Sequence, residues 1–361
     1  MIIKEIRTKK IDLSLRKPFI FALGEIKELN YGLLELFAED KEGEIRRGIG
    51  EFACPWIITG ETQAGFIEVI DKFFKPILIG MEINSIDDIR VLVKEMEKVI
   101  PFNPSSKAAV EMAVFDLLGK IEGSPINLLL GNKVKDEVKL TYVLTMSNDV
   151  KSCFEEAKRA IQQGFNCLKL KVGNDDQSDL EKIKLINQLV DKNIIFSLDV
   201  NEGWKTVEKS LEMIDKIKDY SIAWIEDPVR NSSELAKITE KSPLKIMADA
   251  SLWGPEDAKI IIAQKACHLF NIKLHEAGGI LRAKEILDLA ENNNIKCIIG
   301  SCIETDIGTA ASVHLASLSE NIITTELVGV YEITDKITSG LELVSGGIKV
   351  PPGSGLGVRL L

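Results

Sequence analysis

The chain has 361 residues, 45% hydrophobic and 28% charged, with a formal net charge of −10 at pH 7. That length accommodates one large α/β barrel plus a second domain, and the composition is that of a soluble globular protein. The acidic balance, with no basic stripe, argues against a nucleic-acid partner, and no apolar run approaches the ~20 residues of a membrane span.

Met1 to Lys10 alternates charge with isoleucine and lacks the apolar core of a signal peptide. Six cysteines (Cys54, Cys153, Cys167, Cys267, Cys297, Cys302) are scattered, with no Cys-x-x-Cys pair. Reduced thiols in a cytoplasm are the expectation, and their spacing fits no zinc site. Residues 1–53 read as antiparallel strands: Ile2 to Leu13, then Tyr31 to Ala38 ending at the polar turn Glu39-Asp40-Lys41-Glu42-Gly43. Arg16 to Asn30, with Pro18 and Gly24, reads as a loop between them; Cys54 to Thr62 reads as a second loop, closed by a helix start between Thr59 and Thr62. Helices are expected at 62–75, 86–99 and 105–122. The last carries Val110, Ala113, Val114, Leu117 and Leu118 at helical spacing, with Ser105-Ser106 after Pro104 as its cap. Strands followed by helices make residues 1–125 an α+β capping domain.

From residue 138 onward short apolar strands alternate with amphipathic helices. Strands are expected at 139–144, 167–172, 195–200, 222–226, 245–249, 269–274, 296–300 and 322–327. Helices fall near 150–163, 177–190, 206–219, 232–241, 255–263, 279–292 and 307–317. A repeat of about 25–28 residues is that of βα units, so residues 126–327 predict a (β/α)7-8 TIM-type barrel with its last helix missing or displaced. Residues 328–361, rich in Gly and Pro, are expected to return to the cap and complete it.

Chemistry in such a barrel belongs to the C-terminal ends of the strands. There the chain places Lys169 and Lys171, then Asp199, Glu226, Asp249, Lys273 and, on the last strand, Glu326. Strand side chains alternate faces, so Lys169 and Lys171 point the same way, which is costly unless an anion meets them. Three carboxylates on adjacent strands, with no histidine among them, suit a hard divalent cation such as Mg2+. Lysines on the second and sixth strands stand on opposite sides of the barrel axis. That arrangement suits removal of a proton α to a carboxylate, through an enediolate stabilised by metal and lysines. Lys169 and the metal are expected to depress the amine pKa of Lys171.

Lys169-Leu170-Lys171, Asp199-Val200-Asn201, Glu226-Asp227-Pro228, Met247-Ala248-Asp249 and Asn271-Ile272-Lys273 together resemble the enolase superfamily, in its muconate-lactonizing-enzyme-like subgroup. Ala108 to Gly131 is also similar to that subgroup, so the resemblance spans nearly the whole chain. It implies Asp199, Glu226 and Asp249 as ligands of Mg2+, for which Mn2+ is a substitute. It implies Lys171 and Lys273 as the acid/base pair, with Lys169 as an electrostatic helper. Ile58-Thr59-Gly60-Glu61-Thr62 and Pro18-Phe19…Ala22-Leu23-Gly24 are similar to dipeptide epimerases, which usually carry Asp-x-Asp after the last strand. Here Glu326-Leu327-Val328 stands in that place, and Thr325-Glu326-Leu327 with Gly329 looks more like muconate cycloisomerases. Ala250 and Glu202 stand where the subgroup usually has Glu and Gln.

The expectation is a two-lysine epimerase or racemase of a small carboxylate substrate, with a dipeptide preferred. A cycloisomerase or other lyase of the muconate or o-succinylbenzoate type, and an N-acylamino-acid racemase, use the same constellation; a carboxylate-binding barrel without turnover is a further reading. Glu326, Glu304, Asp306, Asn201 and Thr59 are candidate substrate contacts, Asp306 with a competing role as helix cap. Trp204 and Trp253 are candidates for the mouth, and Lys17, Glu25 and Lys27 for specificity. His268, His275 and His314 carry no catalytic expectation. Barrels of this size often associate, so a homo-oligomer is compatible with the chain.

Overall fold

A computed structural model gives the fold; it describes residues 1–22, 24–53, 55–147 and 149–361. Leu23 of the Pro18–Gly24 stretch and Cys54 lie outside the described residues.

Three antiparallel strands open the chain: β1 (Ile2–Phe21), β2 (Gly24–Glu39) and β3 (Ile45–Phe52). The expected loop at 16–30 is therefore the far end of the β1–β2 hairpin, with Phe19 opposite Ile26 and Phe21 opposite Gly24. Pro18 suggests a break, but a register irregularity between Ser14 and Phe19 accommodates it. Short helices α1 (Trp56–Thr59), α2 (Gln63–Val69) and α3 (Lys75–Leu78) follow, with a π-helical turn at Ile70–Phe74 between the last two. Next come α4 (Ile86–Val99), α5 (Pro104–Glu122) and α6 (Ile126–Leu130). Helix α5 is buried along most of its length and lies against β3 so closely that a Cβ on Gly50 would fall 2.0 Å from the Ala109 carbonyl oxygen. Its cap differs from the expected one. Pro104 occupies the first turn, and the carboxylate of Glu61 accepts from the Ser105 and Ser106 amides at 2.8 and 3.1 Å.

A short strand β4 (Glu137–Lys139) leads into the barrel. Its first half is β5 (Thr141–Leu144), α7 (Val150–Gln162), β6 (Cys167–Lys171), α8 (Asp176–Ile186), β7 (Ile195–Asp199), α9 (Val207–Ile217), β8 (Ile225–Glu226) and α10 (Ser232–Lys241). The second half is β9 (Ile246–Ala248), α11 (Pro255–Gln264), β10 (Leu269–Ile272), α12 (Leu274–Ala277), α13 (Ile280–Asn292), β11 (Lys296–Ile299), α14 (Asp306–Ala316) and β12 (Ile322–Thr325). The strands from β5 to β12 pair in sequence order as one parallel eight-stranded sheet. A bridge between Leu140 and Thr325, with the Thr141 and Thr324 hydroxyls 3.0 Å apart, closes it into a TIM-type barrel. After β12 only a four-residue helix follows, α15 (Gly329–Glu332).

The tail runs through β13 (Thr338–Ser339), β14 (Leu343–Val344), β15 (Gly347–Lys349) and β16 (Arg359–Leu360). In it, β15 pairs with β4, and the Leu356 amide donates to Asp116 of α5 at 2.9 Å. His314 of α14 faces the Leu356 carbonyl from the other side at 3.1 Å. One large apolar core runs through cap and barrel, and a smaller cluster joins Phe19, Phe21 and Ile26 to Val143, Ile303 and Val328. Among the described residues no helix is long and apolar enough to cross a membrane.

Candidate active site

Lys169 and Lys171 both project from β6 into the barrel mouth, because residues two apart share a face. In-register pairing then sets Asp199 beside Lys171 and Glu226 beside Asp199. Asp249 follows β9, Asn271 lies on β10 with Lys273 just beyond it, and Glu326 follows β12. All of these line one cavity of about 80 Å3 beneath the cap, together with Asn201, Ser301 and Cys302. A larger groove of about 630 Å3 lies outside, between α4 and α13. It gathers surface charges of both signs, and we place the chemistry in the smaller cavity because buried ionisable groups converge there.

The contacts are dense. Lys169 Nζ lies 2.6 Å from Glu226 Oε2, 2.5 Å from Glu326 Oε2 and 3.4 Å from Asp199 Oδ2. Lys171 Nζ donates to Asp199 Oδ2 at 2.6 Å and to Asn201 Oδ1 at 2.8 Å. Lys273 Nζ donates to Asp249 at 2.7 Å and stands 3.3 Å from Glu276. Because β6 and β10 are four places apart in an eight-strand barrel, Lys171 and Lys273 approach from opposite sides.

Burial alone would depress the amine of Lys169, but Glu226, Glu326 and Asp199 outweigh it and hold the pKa well above the usual lysine value. Lys273 is raised in the same way, burial being outweighed by Asp249 and Glu276. These two ammonium groups are thus held charged by their carboxylate partners. Burial raises Glu226, with Asp199 adding to the rise and Lys169 opposing it. Glu326 is likewise pushed up to about 7 by burial, against the pull of Lys169. Alongside burial, the site carries a charge excess. Four carboxylates (Asp199, Glu226, Asp249, Glu326) face three ammonium groups (Lys169, Lys171, Lys273) across the same cavity.

That excess fits a cation. Asp199, Glu226 and Asp249 supply hard oxygen donors from three successive strands, and Asn271 Nδ2 holds Glu226 Oε1 at 3.0 Å. Among the described residues, no three of these side chains already close on one point as a metal cluster; each carboxylate turns to a lysine. The donor set therefore matches Mg2+ in chemistry, with the lysines neutralising part of its charge.

Other candidate residues fall elsewhere. Asn201 and Glu326 line the cavity, but Thr59, Glu304 and Asp306 do not. Thr59 ends α1, its hydroxyl accepting from the Glu61 amide at 3.2 Å. Glu304 is buried behind the wall, where it accepts from the Ser301 hydroxyl and from the Cys302 amide and faces His275 Nδ1 at 3.4 Å. Asp306 sits in the first turn of α14, 3.1 Å from Lys336; Thr305 is that helix's cap. Trp204 is buried, and Trp253 donates to the Ala250 carbonyl at 2.8 Å; neither lines the cavity. Lys17 is turned to Glu156, and Glu25 and Lys27 lie 3.1 Å apart on the outer face of β2. Glu202 lies 3.8 Å from Arg230, away from the cavity lining.

Two positioning groups escape a reading of strand ends alone. Asp227 accepts from the Asp249 and Ala250 amides at 3.0 and 2.6 Å, so it anchors the backbone that carries Asp249. Glu51 of β3 accepts from the Gly308 amide at 2.8 Å and from the Thr305 hydroxyl, fastening the cap to the start of α14. The signal for Asp227 is its place beside Glu226; for Glu51, far away in sequence, there is none.

Comparison with known proteins bears directly on this arrangement. Residues 152–361 match the family described as "Enolase C-terminal domain-like", and residues 4–131 match "Mandelate racemase / muconate lactonizing enzyme, N-terminal domain". The chain belongs to the enolase superfamily. Within that superfamily it is 32% identical to a hydrophobic dipeptide epimerase of Enterococcus faecalis, over 99% of both chains. It is 31% identical to an N-succinyl-L-Arg/Lys racemase of Bacillus cereus, over 100% of this chain and 96% of the relative. The solved structure of the Bacillus cereus racemase superposes with a TM-score of 0.93 at 30% identity, covering 100% of this chain and 96% of the other. A muconate lactonizing enzyme of Pseudomonas fluorescens gives 0.93 at 26% identity, covering 100% and 97%. The epimerase and racemase relatives are isomerases, and this chain is an isomerase of the enolase superfamily.

Proposed function

We propose that the enzyme is an epimerase that inverts a carbon α to a carboxylate by two-lysine proton transfer, with a dipeptide as substrate. The observation that carries this is the placement of Lys171 and Lys273 on strands four apart, facing one cavity from opposite sides. With the substrate's α-carbon between them, one lysine as free amine takes the proton. The C–H electron pair passes into the carboxylate as an enediolate. The opposite lysine, as ammonium, returns a proton to the other face, which inverts the centre. Lys169, buried between Glu226, Glu326 and Asp199, stays charged and lends a fixed positive field. Asn201 orients Lys171, and Glu276 orients Lys273.

Asp199, Glu226 and Asp249 would hold Mg2+, or Mn2+ in its place. The cation would supply positive charge against the substrate carboxylate.

For the dipeptide, Glu326 Oε1 is a buried acceptor with no hydrogen-bond partner in the described structure, its other oxygen being held by Lys169. It would receive the substrate's ammonium. Relatives named as dipeptide or L-Ala-D/L-Glu epimerases, from Enterococcus faecalis, Clostridium acetobutylicum and Bacillus subtilis, support this choice. One open oxygen suits an amide N–H equally, so racemisation of an N-acylated amino acid is the second reading. The test is incubation with Mg2+ and a dipeptide library in D2O, read by mass spectrometry. Deuterium at one α-carbon of some dipeptide is expected; exchange into N-acylamino acids alone would select the second reading, and exchange into neither would overturn both.

A further inference from the structure

The cap side of the cavity has a character that the barrel side lacks. Phe19 and Phe21 of β1, Ile26 of β2 and Ile58 of α1 close it from above, and Ile303 and Val328 complete the ring at the barrel rim. Alternation along the hairpin sends these side chains inward and Ile20, Glu25 and Lys27 outward. The other cap charges near the hairpin end are already engaged: Lys17 with Glu156, and Arg16 with the Tyr331 carbonyl. The two phenylalanine rings stand 6.0 and 5.8 Å from Lys171 Nζ, so their faces are turned toward the reacting region.

Among the described residues, the cavity therefore has no cationic or anionic side chain on the cap side. On the barrel side, the lysines and carboxylates are assigned to metal, proton transfer, the substrate's nitrogen or, for Lys169, a fixed positive field. A carboxylate on a substrate side chain would meet the roof without a cation, and an ammonium or guanidinium would meet it without an anion. Either would be a desolvated, unpaired charge. We infer that the enzyme selects substrates whose variable side chains are apolar and uncharged, and that Phe19, Phe21, Ile26 and Ile58 are the residues that discriminate. This rests on the epimerase reading for where the substrate carboxylate lies.

The experiment compares kcat/KM for α-exchange across matched dipeptides with Mg2+: Ala-Leu, Ala-Val and Leu-Leu against Ala-Glu, Ala-Lys and Ala-Arg. The apolar set is expected to exceed the charged set by at least tenfold, and any charged dipeptide reaching the best apolar one overturns the inference. Calorimetric binding of the same panel to the Mg2+-loaded protein reads the preference without turnover. If no dipeptide exchanges, the epimerase reading fails, while tighter binding of the apolar ligands still supports an apolar roof and equal or tighter binding of the charged ones overturns it. Ile58→Arg, at a partly exposed position on a four-residue helix, is expected to raise Ala-Glu relative to Ala-Leu at least tenfold. An unchanged ratio removes the roof as the discriminating surface.

Discussion

The floor and the roof of the cavity differ in how they are held. On the floor, the lysines and carboxylates come from six barrel strands, all but the partly buried Lys273 being buried, and each is tied to at least one partner of opposite charge. On the roof, apolar side chains come from a hairpin end and a single helical turn; Phe19 and Phe21, with ring centroids 6.3 Å apart, and Ile26 cluster with apolar barrel residues such as Val143, Ile303 and Val328. Exchanging a floor residue leaves a buried charge without its partner, whereas exchanging a roof residue changes only shape and polarity. Chemistry and selectivity are thereby assigned to parts of the molecule with different tolerance for change.

The strongest way to break that division is at the lysines. Lys171→Ala and Lys273→Ala should each reduce racemising turnover by about 10²–10⁴-fold, with exchange in D2O surviving for only one hand of the substrate in each variant. Equal loss for both hands in either variant would contradict opposite-face transfer. Lys169→Met should act on stability as well as rate. It strands Glu226 and Glu326, and a cost of about 3–5 kcal/mol is expected in urea unfolding without metal. Added Mg2+ should recover part of it. For the parent protein, free Mg2+ at a hundredfold over its Kd should add about 2.7 kcal/mol, and Asp249→Asn should weaken that response.

A pH measurement sharpens the contrast from outside the cavity. Burial pushes His314 down to about 4, so it folds neutral between α14 and the tail. The unfolded chain binds a proton near 6.5 that the folded chain refuses until about 4. Stability is therefore full above 6.5 and falls as pH drops toward 4, by up to ~3 kcal/mol. His314→Gln should flatten that slope in thermal melts without moving kcat. The smallest effect is expected at Thr59, beside the roof yet outside the lining: Thr59→Ala should stay within about 0.5 kcal/mol in stability and leave kcat/KM unchanged.

The floor was legible because strand period and βα repeat together place each ionisable residue at one barrel end. Lys169, Lys171, Asp199, Glu226, Asp249, Lys273 and Glu326 do meet in one cavity. The roof was not, because Pro18 and Gly24 read as loop signals while Phe19, Phe21 and Ile26 depend on a pairing register that only the folded hairpin reveals. Proximity in sequence also misled. Glu304 and Asp306 follow a barrel strand as the others do, but the chain turns at Ile303, with φ of 66°, and delivers them to His275 and Lys336. Ser105-Ser106 had the composition of a cap, whereas the anion at that helix start is Glu61, brought in from 44 residues away.

The carboxylates of Glu51 and Glu111 carry a further implication. Glu51 serves the N-terminus of α14, and Glu111 accepts from the Leu281 amide of α13 at 2.8 Å, so two barrel helices take a terminal hydrogen-bond acceptor from the cap. A Cβ on Gly279 would fall 1.7 Å from Glu111 Oε2, which leaves no slack at that junction. Caps from related enzymes are consequently not interchangeable hats. A chimera would need a glutamate at both positions and a glycine facing one of them before its new roof could be tested at all.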